Sequence, residues 1–123
     1  MKITLLILSL AVRCCGMDRF EALSQIESGD CDVCVGRYGE VSRYQILPSV
    51  WRQYTKLPLG AATNPFTARN VAEAIMADRA RGVMWTDSLW YMVWHRPGRI
   101  FKPTAREADR AQRFANLCQS GKK

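Results

Sequence analysis

The segment that decides the fold is TDSLWYMVWH, residues 86–95, because it is apolar on nearly every side. A helix on the surface of a globular protein keeps a polar face, whereas a helix that is apolar all round is buried. Thr86 or Asp87 begins this helix and Pro97-Gly98 ends it. The segment therefore predicts a short central helix, with the rest of the chain packed around it.

Four further helices are predicted from their start and stop signals. A capping box or a proline at the first helical position starts a helix, and a glycine after the last apolar residue ends one. The predicted helices cover residues 18–28, a segment that starts at Pro48, residues 64–82, and a last segment that opens with the capping box of Thr104 and Glu107.

The segment between the first two helices, residues 29–44, is poor in helix formers and predicts a loop, with a short strand or hairpin around residues 33–44. The whole pattern predicts a mainly α domain of the α+β type. It would be a compact helical domain of about five helices around a buried central helix, with a loop or small hairpin at one side.

The first sixteen residues are predicted to be a secretory signal peptide. Lys2 precedes an apolar run over residues 3–12, and small residues follow it. The run is too short for a membrane span. A lipoprotein with Cys14 or Cys15 as the lipidated residue is disfavoured, because Arg13 stands where a small residue is expected. Residues 17–123 are then one mature domain, located in the periplasm or secreted.

The chain carries a net charge of +7, and removal of Lys2 and Arg13 with the signal peptide leaves +5. A basic protein tends to bind anionic polymers, although a charge of this size also serves solubility alone. The arginines are scattered from Arg19 to Arg113 without a dense block. Nucleic-acid binding is therefore not predicted.

Three cysteines remain in the mature chain: Cys31, Cys34 and Cys118. In an oxidising compartment either Cys31 or Cys34 pairs with Cys118, or Cys31 and Cys34 pair with each other. A zinc site formed by the three thiols and His95 is chemically feasible, but a single Cys-x-x-Cys pair is weak evidence for it. No metal or cofactor is therefore expected.

Glu27 is a carboxylate on the side of the first helix that should be buried. At about 100° per residue it falls between Phe20 and Leu23, on the side that should be buried. Burial would raise its pKa and keep the carboxyl group protonated near the working pH, as a glycosidase requires of its proton donor. The alternative is a helix-end carboxylate that points into water.

Four segments match the pattern of one superfamily in the same order: Glu27-Ser28, Gln45-Ile46-Leu47-Pro48, the helix that opens at Asn64-Pro65, and the segment 94–99 with its Pro97-Gly98 turn. Over roughly residues 18–100 the chain resembles the lysozyme-like superfamily, most closely the soluble lytic transglycosylases and goose-type lysozymes. Invertebrate-type lysozymes are a second resemblance, through residues 44–46 and Trp51.

The resemblance implies a cleft with catalytic and sugar-binding residues. Glu27 would be the general acid. Glu40 is a candidate from its position instead, because it is the only acidic residue between Asp32 and Glu73 and stands just before the segment expected to line the cleft. It would activate water if the two carboxyl groups lie about 6.5 to 9.5 Å apart. Without such a residue, the substrate's own N-acetyl group would produce a 1,6-anhydro end, and Glu40 would be an exposed loop charge. The implied substrate-binding residues are Ser28, Tyr44, Gln45, Trp94 and His95.

Each of these residues also has a purely structural interpretation. Tyrosine and tryptophan at helical spacing more often belong to the core, and His95 near a helix end is more often a cap than a base. The family's Gly-Leu-Met is replaced by Ser42-Arg43-Tyr44, and its Tyr-Asn pair by Trp94-His95. These departures leave substrate binding and activity open.

Three functions follow from these observations. The first is an exported monomeric enzyme that cleaves the β-1,4 bond between N-acetylmuramic acid and N-acetylglucosamine in the glycan strands of peptidoglycan. The second is a noncatalytic module that binds peptidoglycan or another glycan through a degenerate lysozyme-like site. The third is a small disulfide-tied interaction domain unrelated to sugars, which predicts no groove near Glu27.

Overall fold

The computed structural model describes residues 17–120, so the predicted signal peptide lies outside the described residues. The chain is mainly helical in this range, as predicted. No helix within it is long and apolar enough to cross a membrane. The helices are α1 (Arg19–Ser28), α2 (Pro48–Tyr54), α3 (Pro65–Ala80), α4 (Asp87–His95) and α5 (Ala105–Ser120), with short 3-10 turns at Leu59–Thr63 and Pro97–Arg99.

Helix α4 is the centre of the domain, as its composition predicts. Five consecutive residues, Trp90 to Trp94, are buried, and α4 packs against both α3 and α5. Trp90 stacks on Phe114 of α5 with ring centroids 5.4 Å apart, and the edge of Phe20 of α1 meets it at 5.2 Å. These aromatic contacts hold α1 and α5 on one side of the central helix.

The predicted helix starts are confirmed by their capping hydrogen bonds. Asp18 and Glu21 form a capping box, and Asn64 accepts hydrogen bonds from two backbone amides of α3. In the second capping box the Glu107 amide donates to Thr104 Oγ1, and the Thr104 amide donates to Glu107 Oε1. Side-chain caps of this kind are typically worth about 1 kcal/mol each, so the polar residues at these positions fix where the helices begin.

Residues 29–44 form the predicted loop without the short strand or hairpin predicted around residues 33–44, so the mainly α class is confirmed and its finer α+β description is not. Within residues 17–120 the only β pairing is a single antiparallel bridge between Val41 and Ile46. Ser42 and Gln45 have φ values of 73° and 53°, in the left-handed region. Two left-handed residues turn the chain within four positions, and no second strand continues the pairing.

Candidate active site

A cavity of about 520 Å³ opens between the end of α1, the loop before α2, and the ends of α3 and α4, with α5 at its side. It contains five of the seven site residues predicted from the sequence: Glu27, Glu40, Gln45, Trp94 and His95. Four arginines also line it: Arg37, Arg79, Arg96 and Arg110. Residues distant in the sequence therefore meet in one cleft, whose lining also includes apolar side chains: Ile46, Leu47, Val50 and Ile75.

Glu27 lies in the last turn of α1, two residues before Gly29, whose left-handed conformation ends the helix. Its side chain is only 14 % exposed. The hydroxyl of Tyr91 donates a hydrogen bond to Oε2 of Glu27 over 3.1 Å, and Nη2 of Arg110 lies 3.6 Å from the same oxygen. The carboxyl group is therefore buried, and both of these partners are polar side chains.

Burial raises the pKa of Glu27, and this effect outweighs the opposing influence of its polar neighbours. The positive charge of Arg110 and the hydrogen bond from Tyr91 both stabilise the carboxylate and lower the pKa. Because desolvation prevails, the carboxyl group keeps its proton to a higher pH than a free glutamic acid. A protonated carboxyl group in a cleft is the form that acts as a general acid.

Tyr91 and Arg110 are site residues that sequence analysis missed. Nε of Arg110 donates to the Tyr91 hydroxyl over 3.0 Å, and its Nη2 donates to the carbonyl oxygen of Ile26 over 3.3 Å. One signal is present in the sequence, because a tyrosine in the buried part of a mostly apolar helix needs a polar partner for its hydroxyl. Nothing in the sequence identified that partner as Glu27 on a helix 64 residues away.

Glu40 and Gln45 lie on the loop side of the cleft and approach the backbone at Gly36. The amide of Tyr38 donates to Glu40 Oε1 over 2.8 Å. Nε2 of Gln45 donates to the carbonyl oxygens of Cys34 and Ser42. The backbone therefore holds both side chains, and the loop presents one carboxylate and one amide to the same cavity as Glu27.

Trp94 and His95 form the opposite wall, at the end of α4. Trp94 is 7 % exposed, so it is mostly a core residue with one edge at the cavity. Nε2 of His95 lies 3.3 Å from Oε2 of Glu107, and the imidazole stacks on the Tyr91 ring with centroids 5.5 Å apart. His95 therefore contacts the residue that hydrogen-bonds Glu27.

Ser28 and Tyr44 do not line the cleft. The Ser28 hydroxyl donates to the carbonyl oxygen of Arg43 over 2.7 Å and accepts from the Cys31 amide. It therefore ties the end of α1 to the loop. Tyr44 is 3 % exposed and packs edge-on against Phe20 at 6.3 Å, so its ring belongs to the core. The structural interpretation fits both residues better than substrate binding does.

Of the disulfide alternatives, the structure has the local one, between Cys31 and Cys34. Neither is joined to Cys118, which is half-buried on α5. The bond also removes both sulfurs as thiolate ligands, which rules out the zinc site with Cys118 and His95. Among residues 17–120, no group of three or more histidine, cysteine or acidic side chains is arranged to hold a metal ion.

The site combines a protonatable carboxyl group, a second carboxylate and several hydrogen-bond donors in an open cleft. Such a set suits acid-catalysed cleavage of a polar substrate. Comparison of the chain with protein-family models, with curated protein sequences and with solved structures finds no match.

Proposed function

We propose that the protein is an exported glycosidase that cleaves the β-1,4 bond between N-acetylmuramic acid and N-acetylglucosamine in peptidoglycan, with Glu27 as the general acid. The observation that carries the proposal is the buried carboxyl group of Glu27, whose pKa is raised inside a cleft of glycan-binding size. The lysozyme-like resemblance is part of the same proposal, since its acid position coincides with this residue.

The conformation of Ser42 also supports the resemblance. Ser42 occupies the position where the family pattern has the glycine of Gly-Leu-Met, and its φ of 73° lies in the region that favours glycine. The loop therefore keeps the backbone geometry of a glycine position although the residue has changed. A change of sequence at this point is compatible with an unchanged cleft.

In the proposed mechanism, Glu27 donates its proton to the glycosidic oxygen while positive charge develops at the anomeric carbon. Tyr91 and Arg110 then stabilise the carboxylate that is left, because both already contact Oε2. Glu40 deprotonates an attacking water in a hydrolase. In a transglycosylase the substrate's own acetamido group stabilises the anomeric carbon until the 6-hydroxyl attacks it, and the carboxylate of Glu27 takes up the proton that this hydroxyl loses. Glu40 then has no chemical role.

The substitution Glu27→Gln tests the proposal, because glutamine keeps the size of the side chain and cannot donate a carboxylic proton. Clearing of a cell-wall suspension should fall by about 10²–10⁴-fold, with binding to the glycan retained. Glu73→Gln is the matched control, since Glu73 is exposed and its pair with Arg69 lies on the surface of α3. Failure of the wild-type protein to clear the suspension would rule out the proposed enzymatic activity.

Products of digestion distinguish the two reaction outcomes. Mass spectrometry of the released fragments detects either a reducing end, which contains an added water, or a 1,6-anhydro end, which does not. If Glu40 activates the water, Glu40→Gln abolishes the reducing products. If the anhydro product is formed, the same variant keeps its activity.

A noncatalytic glycan-binding module is the second candidate. The observation in its favour is the 3.6 Å pair between Arg110 and Glu27, since an ion pair in a cleft also occurs as a purely structural feature. This candidate predicts that wild-type protein and Glu27→Gln bind peptidoglycan equally and that neither releases fragments.

A further inference from the structure

The cleft carries more positive charge than its own carboxylates balance. Glu27 and Glu40 are its acidic residues, against the four arginines that line it. Arg110 is paired with Glu27 at 3.6 Å, and Arg96 lies 3.9 Å from Glu107. The remaining two, Arg37 and Arg79, have no carboxylate within 4.0 Å among residues 17–120, whose ion pairs involve other arginines.

Arg79 is the more informative of the two, because it is half-buried and fixed in place. It lies in the last turn of α3, and its Nη1 donates to the carbonyl oxygen of Trp94 over 2.5 Å. Its guanidinium carbon is 5.9 Å from the centroid of the Trp94 ring. A guanidinium group has five N–H donors in a planar fork, and this contact uses only one nitrogen.

Arg79 has no carboxylate within 4.0 Å in the described part of the chain, and burial lowers the pKa of its guanidinium, although the nearby Tyr54 and the Asp78 carboxylate partly oppose that effect. The contact with the Trp94 carbonyl also stabilises the end of α4, and it leaves the other nitrogens of the guanidinium without a partner at a carboxylate. The position holds a rigid cation on the wall of the cleft that contains Glu27. A planar fork of this kind matches the geometry of a carboxylate.

We propose that Arg79 binds a carboxylate of the glycan and so selects acidic glycans over neutral ones. The inference rests on the proposed glycan cleft and deepens it, because it assigns the specificity to a single side chain. Arg37, an exposed residue that lines the same cavity, adds positive potential. The carboxylate belongs either to the sugar itself or to a peptide attached to it, and the two sources are separable by experiment.

Binding is measured by calorimetry with the Glu27→Gln variant, so that cleavage does not consume the ligand. Four probes are compared at equal chain length: glycan strands stripped of peptide, strands that keep their peptides, stripped strands with carbodiimide-amidated carboxyl groups, and neutral chitin oligosaccharides. Stripped strands should bind about tenfold more tightly than their amidated form. A preference seen only with the peptide-bearing strands assigns the carboxylate to the peptide.

The double variant Glu27→Gln, Arg79→Met should bind all four probes with nearly equal affinity. Arg106→Met is the matched control, because Arg106 is an exposed arginine at the start of α5 outside the cleft, and it should leave the preference intact. Arg79→Lys keeps the charge without the fork and should retain part of the preference.

Equal affinity of Glu27→Gln for the carboxylate-bearing and the amidated or neutral probes overturns the inference, whatever the activity of the enzyme. This comparison needs no change at Arg79 and so does not depend on the stability of that variant. Failure of the wild type to cleave any strand would overturn the proposed enzyme instead, while a carboxylate preference that disappears with Arg79→Met would still support the binding role of this residue.

Discussion

The hydroxyl group of Tyr91 donates to Oε2 of Glu27 over 3.1 Å and accepts from Nε of Arg110 over 3.0 Å. One hydroxyl group therefore links the buried acid to its nearest positive charge. Burial of the Tyr91 ring and the nearby carboxylate both raise the pKa of Tyr91, so the phenol stays protonated. The pKa of Glu27 is consequently a balance between burial, which raises it, and polar or charged neighbours on α4 and α5, which lower it.

Tyr91→Phe should shift this balance and move the pH dependence of activity. The carboxylate of Glu27 loses a hydrogen bond, so the pKa of the acid rises further, and the basic limb of the activity profile moves to higher pH. The free energy of unfolding should fall by about 1–2 kcal/mol, because Nε of Arg110 loses its hydrogen-bond acceptor. The pH–rate profile of cell-wall clearing measures the shift.

Tyr54→Phe is the control for this experiment. Its hydroxyl also donates to a carboxylate, that of Asp78, but on the exposed surface and outside the cleft. It should leave the basic limb in place. If the basic limb of the pH–rate profile is unchanged in Tyr91→Phe, then Glu27 is not the group whose titration governs the reaction.

Glu27→Gln should change how stability depends on pH. The folded-state pKa of Glu27 lies above its ordinary value of 4.5, so between the two values the folded protein binds more protons than the unfolded one. This residue therefore stabilises the fold fully below pH 4.5, and that contribution is lost as the pH rises through the folded-state pKa. Glutamine does not titrate and should remove that loss.

Chemical denaturation of both proteins at several pH values between about 4 and 8 measures this effect as a free energy of unfolding. The difference between Glu27→Gln and wild type should grow in favour of the variant as the pH rises. A difference that moves the other way would mean that the pair with Arg110 prevails over burial and that Glu27 is ionised in the cleft.

Sequence patterns are sufficient to predict where the helices lie, because the signals that start and stop a helix are local. The capping box of Asp18 and Glu21, Asn64 before a proline, and the apolar segment 86–95 each depend on residues within one or two turns, and each predicted the correct element. The conformation of the loop before α2 is harder to predict, because Ser42 and Gln45 adopt left-handed conformations that serine and glutamine do not prefer.

The site was predictable only where position in a helix decided burial. Angular spacing alone predicts a buried side for Glu27, and its side chain is mostly buried. The resemblance predicts that Tyr44 lines the groove, whereas contact with Phe20 from another helix determines where its ring lies. Arg110 is not predictable for the same reason, since long-range contacts decide which arginine of a scattered set reaches an acid.

Gly36→Ala should weaken glycan binding while it changes the stability of the fold only slightly. A β-carbon at Gly36 would overlap the Oε1 atoms of Glu40 and Gln45, the ends of two flexible side chains that can move away. The free energy of unfolding should change by no more than about 1 kcal/mol, whereas glycan binding weakens because both cleft side chains are displaced. Gly60→Ala is the control, since a β-carbon there meets nothing within 4 Å.

At Ser42 the glycine variant should be more stable than the alanine variant, which reverses the order expected inside a helix. The Ser42 hydroxyl accepts a hydrogen bond from the Tyr44 amide, and its backbone has a φ of 73°. Both variants lose that bond, but only Ser42→Gly relieves the left-handed strain, so it should be about 1 kcal/mol more stable than Ser42→Ala. At Ser49, inside α2, alanine should be the more stable by a similar amount. Thermal denaturation of the four variants measures both differences, and alanine ahead of glycine at both positions would contradict the strained turn.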